Sequence, residues 1–264
     1  MDWQFVASPP LPGAINMELD VMSLKGFEGG DISSTIRIFT WQNNCVSLGY
    51  SQKIEEEIDI QKAKQMGWEV VQRPTGGGIV FHNPAEVSFS VITSIDDPTF
   101  PPGLIPSYLK VSEAVVEGLK ILGVAAEIQS SPLSRCFDRD PESLKYIMGS
   151  GHPSPSSMER GMNPPQAEKG VRSLCFSYPA EYEIVVGGKK IVGSAQKRTK
   201  KALLQQGSIF VRENPDTVYS MLKHPYDKEN AICVEEILGR EVSFSEISKA
   251  LKTGFEKKLG VKFN

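Results

Sequence analysis

Cysteine is sparse in this chain of 264 residues, and its positions exclude the usual structural uses of that residue. The 4 cysteines are Cys45, Cys136, Cys175 and Cys233, and none forms the CxxC pair that zinc sites and redox motifs favour. Their wide separation also argues against a small disulfide scaffold. We therefore predict free thiols in a reducing compartment, each an inert buried group unless its neighbours indicate chemistry.

Long apolar runs and an excess of basic charge are also missing. No stretch approaches the roughly 18 apolar residues that a bilayer-spanning helix needs, and the N-terminus has neither the basic start nor the apolar stretch of a signal peptide. The formal net charge is -3, whereas proteins that neutralise nucleic-acid phosphates carry a basic excess. We therefore expect a cytoplasmic protein that binds neither membranes nor nucleic acid.

Strand-like and helix-like segments alternate irregularly along the chain. Clusters of β-branched and aromatic residues predict strands at 35–39, 69–71, 87–92, 182–186 and 207–211. Helical spacing of apolar residues predicts helices at 16–24, at 58–66 and at 108–122, with Asn16 capping the first of them. This order indicates an α+β fold, formed as one domain over residues 1–264.

Two later segments differ from the rest in composition. The stretch 138–170 is rich in proline and serine and has little periodic apolar content, so we predict a mobile, lid-like insert. Residues 214–264 contain polar helical patterns and predict a small helical appendage at the C-terminus.

A glycine-rich loop follows the second predicted strand. It consists of Arg73-Pro74-Thr75-Gly76-Gly77-Gly78 and leads into Ile79-Val80-Phe81-His82. Consecutive glycines allow the backbone to approach a ligand closely, and their amides can bind an anion or a polarised carbonyl. The alternative is a tight hairpin turn between two strands, because no Walker lysine follows the glycines.

A second candidate site surrounds a predicted hairpin turn. Gly187-Gly188 is a two-residue turn signal, and it places Lys190 at the start of the returning strand before Gly193, Ser194 and Ala195. A lysine beside small residues can hold a carbonyl oxygen or a phosphate by charge-assisted hydrogen bonds. The alternative is an ordinary solvated lysine next to a turn.

The third candidate is a cysteine that follows the predicted insert. Cys175 lies in Ser173-Leu174-Cys175-Phe176-Ser177-Tyr178-Pro179, shortly before the strand that leads to Lys190. A thiolate attacks acyl carbonyls well, and a neighbouring cation favours the thiolate form. Cys175 is therefore the candidate nucleophile.

Taken in order, these motifs resemble the lipoate-protein ligase and octanoyltransferase superfamily, which shares its core fold with biotin-protein ligases. The resemblance extends from about residue 12 to residue 207. The segments that carry it are Asn16-Met17-Glu18-Leu19-Asp20, Trp41, Val46-Ser47-Leu48-Gly49-Tyr50-Ser51-Gln52, Arg73-Pro74-Thr75-Gly76-Gly77, Lys190-Ile191-Val192-Gly193-Ser194-Ala195-Gln196 and Leu204-Gln205-Gln206-Gly207-Ser208-Ile209. The resemblance implies a mixed sheet flanked by helices.

Within the superfamily, the residues around Cys175 look like those of the cysteine-dependent octanoyltransferases of the Bacillus type. Lys190 follows Cys175 after fifteen positions, and the Asn-Asp pair typical of ATP-dependent ligases is absent between 170 and 190. Two features depart from this pattern. The triple glycine loop followed by His82 is the version found in the ligases, and Ser177 stands where the transferases tend to have aspartate.

The resemblance implies a transfer of an octanoyl or lipoyl group from octanoyl-acyl carrier protein to a lysine of a lipoyl domain or a glycine cleavage H-type protein. Cys175 and Lys190 would be catalytic, no cofactor would be needed and no metal site is expected. The implied substrate-binding residues are Arg73, Gly76, Gly77, Gly78, His82, Gly193, Ser194 and Ala195.

Three other functions remain open at this stage. An ATP-dependent lipoate-protein ligase would use ATP and Mg²⁺ to make lipoyl-AMP, with Lys190 bridging phosphate and carboxyl and Cys175 incidental. An octanoyl amidotransferase would move octanoyl between lipoylated proteins, again through a cysteine. A non-enzymatic acyl-binding protein would keep the pocket without turnover.

Overall fold

The computed structural model describes residues 2–129, 172–174, 182–227 and 230–263, with the backbone alone described for residues 172, 173, 226 and 227. The predicted insert at 138–170 therefore lies outside the described residues, as do Cys136 and Cys175.

Helices and strands alternate along the described ranges. The helices are α1 (Gly13–Gly29), α2 (Ile54–Glu57), α3 (Ile60–Gln65), α4 (Leu104–Ile121), α5 (Val234–Leu238) and α6 (Phe244–Leu259), with a 3-10 helix at Asp216–Met221. The strands are β1 (Trp3–Ala7), β2 (Ser34–Phe39), β3 (Cys45–Leu48), β4 (Glu69–Gln72), β5 (Val80–His82), β6 (Val87–Ser94), β7 (Glu127–Ile128), β8 (Arg172–Ser173), β9 (Ile184–Val186), β10 (Lys189–Arg198), β11 (Ala202–Ile209) and β12 (Tyr226–Asp227).

The largest sheet in the described residues has seven strands in the order β1-β2-β6-β11-β10-β9-β7. β1 pairs with β2 in parallel and the other pairs are antiparallel, so the sheet is mixed. Helices α4 and α6 pack on one face and form the main core with apolar residues such as Phe89, Val111, Leu251 and Phe255. Helix α1 packs on the opposite face, against β6 and β11.

A smaller sheet stands beside the α1 face of the large one. It has the strand order β4-β3-β5, with β4 parallel and β5 antiparallel to β3. Its apolar residues form a second core with the 3-10 helix, including Leu48, Phe81 and Met221. The glycine-rich loop connects β4 to β5, so it passes over the end of β3 between them. The alternative of a tight hairpin is thus wrong, because β4 and β5 do not pair with each other.

The predicted strands all have a counterpart in the structure, while the predicted helix limits need correction. Asn16 does not cap α1, because the helix begins at Gly13 and Asn16 lies inside it. Its buried side-chain amide donates to the carbonyls of Leu11 and Thr40 instead, at 3.2 Å and 3.1 Å. The predicted helix at 58–66 corresponds to α3 alone and is shorter than predicted, because Ile58 is extended and separates α3 from the preceding α2.

The C-terminal segment contains helices, as predicted, but its last helix is part of the main core. Gly118 of α4 and Gly254 of α6 let the two helices approach closely, since a Cβ on Gly254 would come within 2.4 Å of the Ala114 carbonyl oxygen. Phe255 of α6 is fully buried between α4 and the sheet. None of the described helices combines the length and apolar character needed to cross a bilayer.

Candidate active site

A pocket lies between the two sheets and is open on one side. The empty space within it and at its open mouth is about 410 Å³. The small sheet and its loop contribute Ser47, Arg73, Val80 and His82, and Trp41 comes from the segment after β2. Helix α1 and the large sheet contribute Met17, Phe39, Ser88, Gly193, Ser194, Ala195, Gln206, Gly207 and Ser208. The structure thus brings Arg73, His82, Gly193, Ser194 and Ala195 of the predicted substrate-binding residues together around one cavity.

Arg73 fixes the shape of the glycine loop from inside. Its guanidinium donates to the carbonyl oxygens of Gly76 at 2.8 Å and Gly78 at 2.5 Å, and to that of Ser47 at 3.0 Å. Gly77 has φ +91°, a conformation that favours glycine, and a Cβ there would lie 2.9 Å from the Arg73 guanidinium. The arrangement explains why an arginine and glycines occur together, although the prediction that they bind substrate stays a prediction.

His82 is buried at the pocket wall and is held on both ring nitrogens. Nδ1 lies 2.5 Å from Oε1 of Glu86, and Nε2 lies 2.7 Å from the hydroxyl oxygen of Ser47, which also accepts from Arg73 at 3.1 Å. The ring stacks on Trp41 with centroids 3.9 Å apart. Its orientation is therefore set by neighbours before any ligand enters.

The polar groups next to His82 also bind one another. The Ser208 hydroxyl donates to Glu86, the hydroxyls of Ser88 and Ser208 lie 2.9 Å apart, and Trp41 Nε1 donates to Ser88 Oγ at 3.1 Å. We call His82, Ser47, Glu86, Ser88 and Ser208 the His82 cluster. Because its pocket-lining hydroxyls and ring nitrogens already have partners, an alkyl chain can lie against it without leaving a donor unsatisfied.

The His82 cluster repeats the serine–histidine–carboxylate order of hydrolase triads, but its position argues against that role. Ser208 pairs across the ladder with Gly193, which is three residues along β10 from Lys190. The hydroxyls of Ser47 and Ser208 and both ring nitrogens of His82 are, moreover, already engaged within the cluster. We therefore assign the cluster to the wall of the pocket.

Lys190 points toward the pocket side of the sheet because of a β-bulge. Lys190 pairs with Val185 and Val192 with Ile184, so β10 contains one extra residue, Ile191, between these pairs. Ile184 and Val192 belong to the main core, and the neighbour of Ile184 in β9 must point the opposite way. Lys190, its pair partner, therefore shares the face of Gly193, which lines the pocket.

The structure excludes the alternative of a solvated lysine. Lys190 is only 1% exposed, and its ammonium forms an ion pair with the carboxylate of Glu183. Gly187 and Gly188 have φ +58° and +80° and form the predicted turn between β9 and β10. Lys189, in contrast, is exposed.

A buried network behind the pocket was not anticipated as a set of interacting groups. Gln206 accepts a hydrogen bond from Thr75 of the glycine loop at 2.7 Å and donates to Asp20 of α1 at 2.6 Å. Asp20 also accepts from Arg37 at 2.9 Å and from Ser90 at 2.7 Å. Asp20 and Gln206 belong to motifs that carry the family resemblance, but sequence gave no reason to connect them across the fold.

The two described cysteines lack the environment of a nucleophile. Cys45 and Cys233 are buried. Burial raises the pKa of the Cys45 thiol well above its usual value, and the nearby carboxylates of Glu69 and Glu86 raise it further. In residues 2–129, 172–174, 182–227 and 230–263, no group of three His, Cys, Asp or Glu side chains is placed to hold a metal ion.

The architecture matches that of a solved enzyme over the whole length of this chain. A crystal structure of lipoate-protein ligase A bound with ATP is similar over 100% of this chain and 88% of that one, with a TM-score of 0.72 and 26% identity. The fold and the pocket between two sheets thus define an α+β protein of the lipoate-protein ligase type, which confirms the predicted fold class.

The chain belongs to the lipoyl protein ligase A/B catalytic domain family, whose model matches residues 12–256. Octanoyltransferase LipM from Geobacillus kaustophilus is 32% identical, over 98% of this chain and 87% of that protein. Octanoyltransferase LipM from Anoxybacillus flavithermus is 34% identical with the same two coverages. These similarities confirm the predicted superfamily and the prediction of an acyltransferase.

Proposed function

We propose that this protein transfers an octanoyl group from an acyl carrier protein thioester, through a thioester on Cys175, to a lysine of a lipoyl domain or a glycine cleavage H-type protein. The observation that supports this most is the position of Lys190. It is a buried ammonium on the pocket face of β10, in a chain whose relatives are named octanoyltransferases. Such a cation suits a reaction in which negative charge develops on a carbonyl oxygen.

In the first step, the sulfur of Cys175 forms a bond to the acyl carbon and the bond to the carrier sulfur breaks. The thiol proton of Cys175 ends on the departing carrier thiol, so one thioester replaces another. The Lys190 ammonium donates to the carbonyl oxygen as it becomes an oxyanion.

In the second step, the ε-amine of the acceptor lysine forms a bond to the acyl carbon and the bond to Cys175 sulfur breaks. The amine proton returns to the cysteine, which regenerates the thiol. Amide formation from a thioester drives this step. The same ammonium of Lys190 serves both steps because both proceed through an oxyanion at one place.

The pocket suits the alkyl part of this substrate. Met17, Phe39 and Val80 supply apolar wall, and the His82 cluster presents groups that are already hydrogen-bonded. Each buried methylene contributes about 0.8 kcal/mol, so the chain can supply much of the substrate's affinity.

ATP and Mg²⁺ belong to the alternative function, an ATP-dependent ligase. One observation favours this alternative: lipoate-protein ligase A, which has a similar fold, was solved with bound ATP. In that case amides of the glycine loop would face an adenylate phosphate and Lys190 would bridge phosphate and carboxyl. On our proposal neither cofactor is needed.

An exposed surface beside the glycine loop offers a docking site for the partner proteins. Tyr50 is 69% exposed, and its backbone N–H donates to Thr75 in the glycine loop at 2.9 Å. The ammonium of Lys197 lies 5.4 Å from the centre of the Tyr50 ring. Lys200 and Lys201 continue this basic run at the end of β10. An acidic partner would be attracted to such a surface.

Reversal of the charge at Lys197 is expected to weaken the use of carrier-protein donor. Lys197→Glu should raise KM for octanoyl-carrier protein several-fold with kcat little changed, and the effect should shrink as salt is added. Steady-state kinetics at two ionic strengths test this. Two controls should show no such increase: octanoyl-pantetheine, which lacks the carrier protein, and Lys258→Glu, at an exposed position of α6. An equal rise of KM for octanoyl-pantetheine would contradict docking.

The proposed reaction is tested by intact mass spectrometry of the purified protein with octanoyl-carrier protein in the absence of ATP. We expect one octanoyl group on the enzyme, which disappears when a lipoyl domain is added and reappears on that domain. Octanoate with ATP and Mg²⁺ is the parallel reaction. Acyl transfer in that reaction alone would establish the ligase and overturn our proposal.

A further inference from the structure

Tyr182 has a strained backbone next to the candidate site. Its φ is +69°, and in the described ranges it is the one residue other than glycine with a positive φ. Side chains with a Cβ adopt this conformation rarely, and strained residues of this kind cluster at functional sites. The strained conformation of Tyr182 therefore indicates that this segment positions a functional side chain nearby.

Two backbone hydrogen bonds hold Tyr182 and its successor in this conformation. The N–H of Tyr182 donates to the Gln129 carbonyl at 3.1 Å, and the N–H of Gln129 donates to the Glu183 carbonyl at 2.8 Å. They continue the pairing of β7 with β9 by one step beyond the strands. The path of the chain into Glu183 is therefore fixed by the edge of the large sheet.

The result of this path is the carboxylate of Glu183 beside Lys190. The Glu183 side chain is 13% exposed and that of Lys190 1%, and the two form an ion pair. A buried ammonium is costly unless a carboxylate or other acceptors compensate its charge. Glu183 thus supplies a negative charge where the bulge in β10 brings the positive one.

We propose that Glu183 is a positioning residue for Lys190 and that the left-handed conformation of Tyr182 directs its carboxylate there. The inference rests on the proposed function, because it assumes that Lys190 donates to the reacting carbonyl. Glu183 holds the ammonium charged and in one orientation at that carbonyl. It acts through Lys190 and has no contact with substrate of its own.

A double-mutant cycle tests this role by single-turnover transfer from octanoyl-carrier protein. Glu183→Gln is expected to lower the transfer rate by roughly ten- to a hundredfold, with KM for the carrier protein little changed. In a Lys190→Ala background the same substitution should cost almost nothing more, because its effect passes through the lysine. Thermal unfolding of each variant establishes that it is folded.

The possible failures are distinguishable. If Lys190→Ala lowers the transfer rate but Glu183→Gln leaves it normal, the positioning role is overturned and the proposed function stays intact. Equal losses from Glu183→Gln in both backgrounds would make the ion pair merely structural and also overturn it. A normal rate for Lys190→Ala would overturn the part of the proposed function on which the inference rests.

Substitutions at Tyr182 test the conformational half of the inference. Tyr182→Gly accepts a positive φ, so it should keep a near-normal transfer rate. Tyr182→Val disfavours that conformation, because its branched Cβ crowds the backbone, and should lose rate as Glu183→Gln does. Equal rates for a folded Tyr182→Gly and a folded Tyr182→Val would show that the conformation does not direct Glu183.

Discussion

Replacement of Cys175 by alanine is expected to abolish both the acyl-enzyme and the transfer to the acceptor lysine. The proposed path passes through a thioester on this sulfur, and no hydroxyl or second thiol can replace it without a matching environment. Intact mass after incubation with octanoyl-carrier protein should show no added octanoyl group. Transfer to a lipoyl domain, followed over the same period, should fall to the uncatalysed rate.

The other cysteines provide matched controls for this experiment. Cys45→Ala and Cys233→Ala should retain acyl-enzyme formation, because both thiols are buried and the pKa of Cys45 is raised, which keeps it protonated. Cys136→Ala should retain it as well. Cys136-Phe137-Asp138 resembles the family's Cys-Phe-Asp more than Cys175-Phe176-Ser177 does, yet it lies far upstream of Lys190. Octanoyl found by peptide mapping on Cys136 would disprove the assignment to Cys175.

Lys190→Ala is expected to lower the rate of transfer on the order of a hundredfold or more, as the loss of one preorganised donor to an oxyanion commonly does. The lysine is 1% exposed and faces the pocket side of the sheet, so water cannot readily replace its ammonium. Single-turnover rates of acylation and of transfer, measured separately, should both fall. The ligase alternative makes the same prediction, since an adenylate also needs a cation beside its carbonyl.

Lys189→Ala is the matched control, because Lys189 is exposed and pairs with Val186 on the other face of the ladder. It should cost only a few-fold, by weaker docking of the partner. Lys190→Arg should restore little activity, because a planar guanidinium does not replace a compact ammonium. Near-normal single-turnover transfer by a folded Lys190→Ala would remove this lysine from the mechanism and leave amides near the glycine loop as the donors.

The large elements were predictable because their signals are local. Alternation and β-branching at 35–39 and 87–92 indicated β2 and β6, and helical spacing at 108–122 indicated α4. The predictions were wrong where hydrogen bonds between distant parts of the chain determine the local structure. Asn16 is a residue type that often caps helices. Here its side-chain amide donates to the carbonyls of Leu11 and Thr40, and the residue lies inside the helix. No local pattern contains that information.

The site was predictable in part for the same reason. The turn at Gly187-Gly188 is a local signal, and so Lys190 could be placed on a strand. Its burial beside Glu183 depends on the bulge and on a strained tyrosine, and neither has a signature in the sequence. The contact between His82 and Ser47 joins two strands of the small sheet, whose order could not be derived from composition.

The extra residue in β10 has a consequence for how this protein can change over generations. Ile191 and Val192 enter the main core, whereas Lys190 on one side and Gly193 on the other lie on the opposite face of the sheet, where Gly193 lines the pocket. Along an unbroken strand, residues on the two faces would alternate, so Ile191 and Val192 could not both enter the core. The bulge allows both to do so and leaves Lys190 on the opposite face. Selection can therefore alter the side chain at position 190 without replacing a residue that packs against α4 and α6.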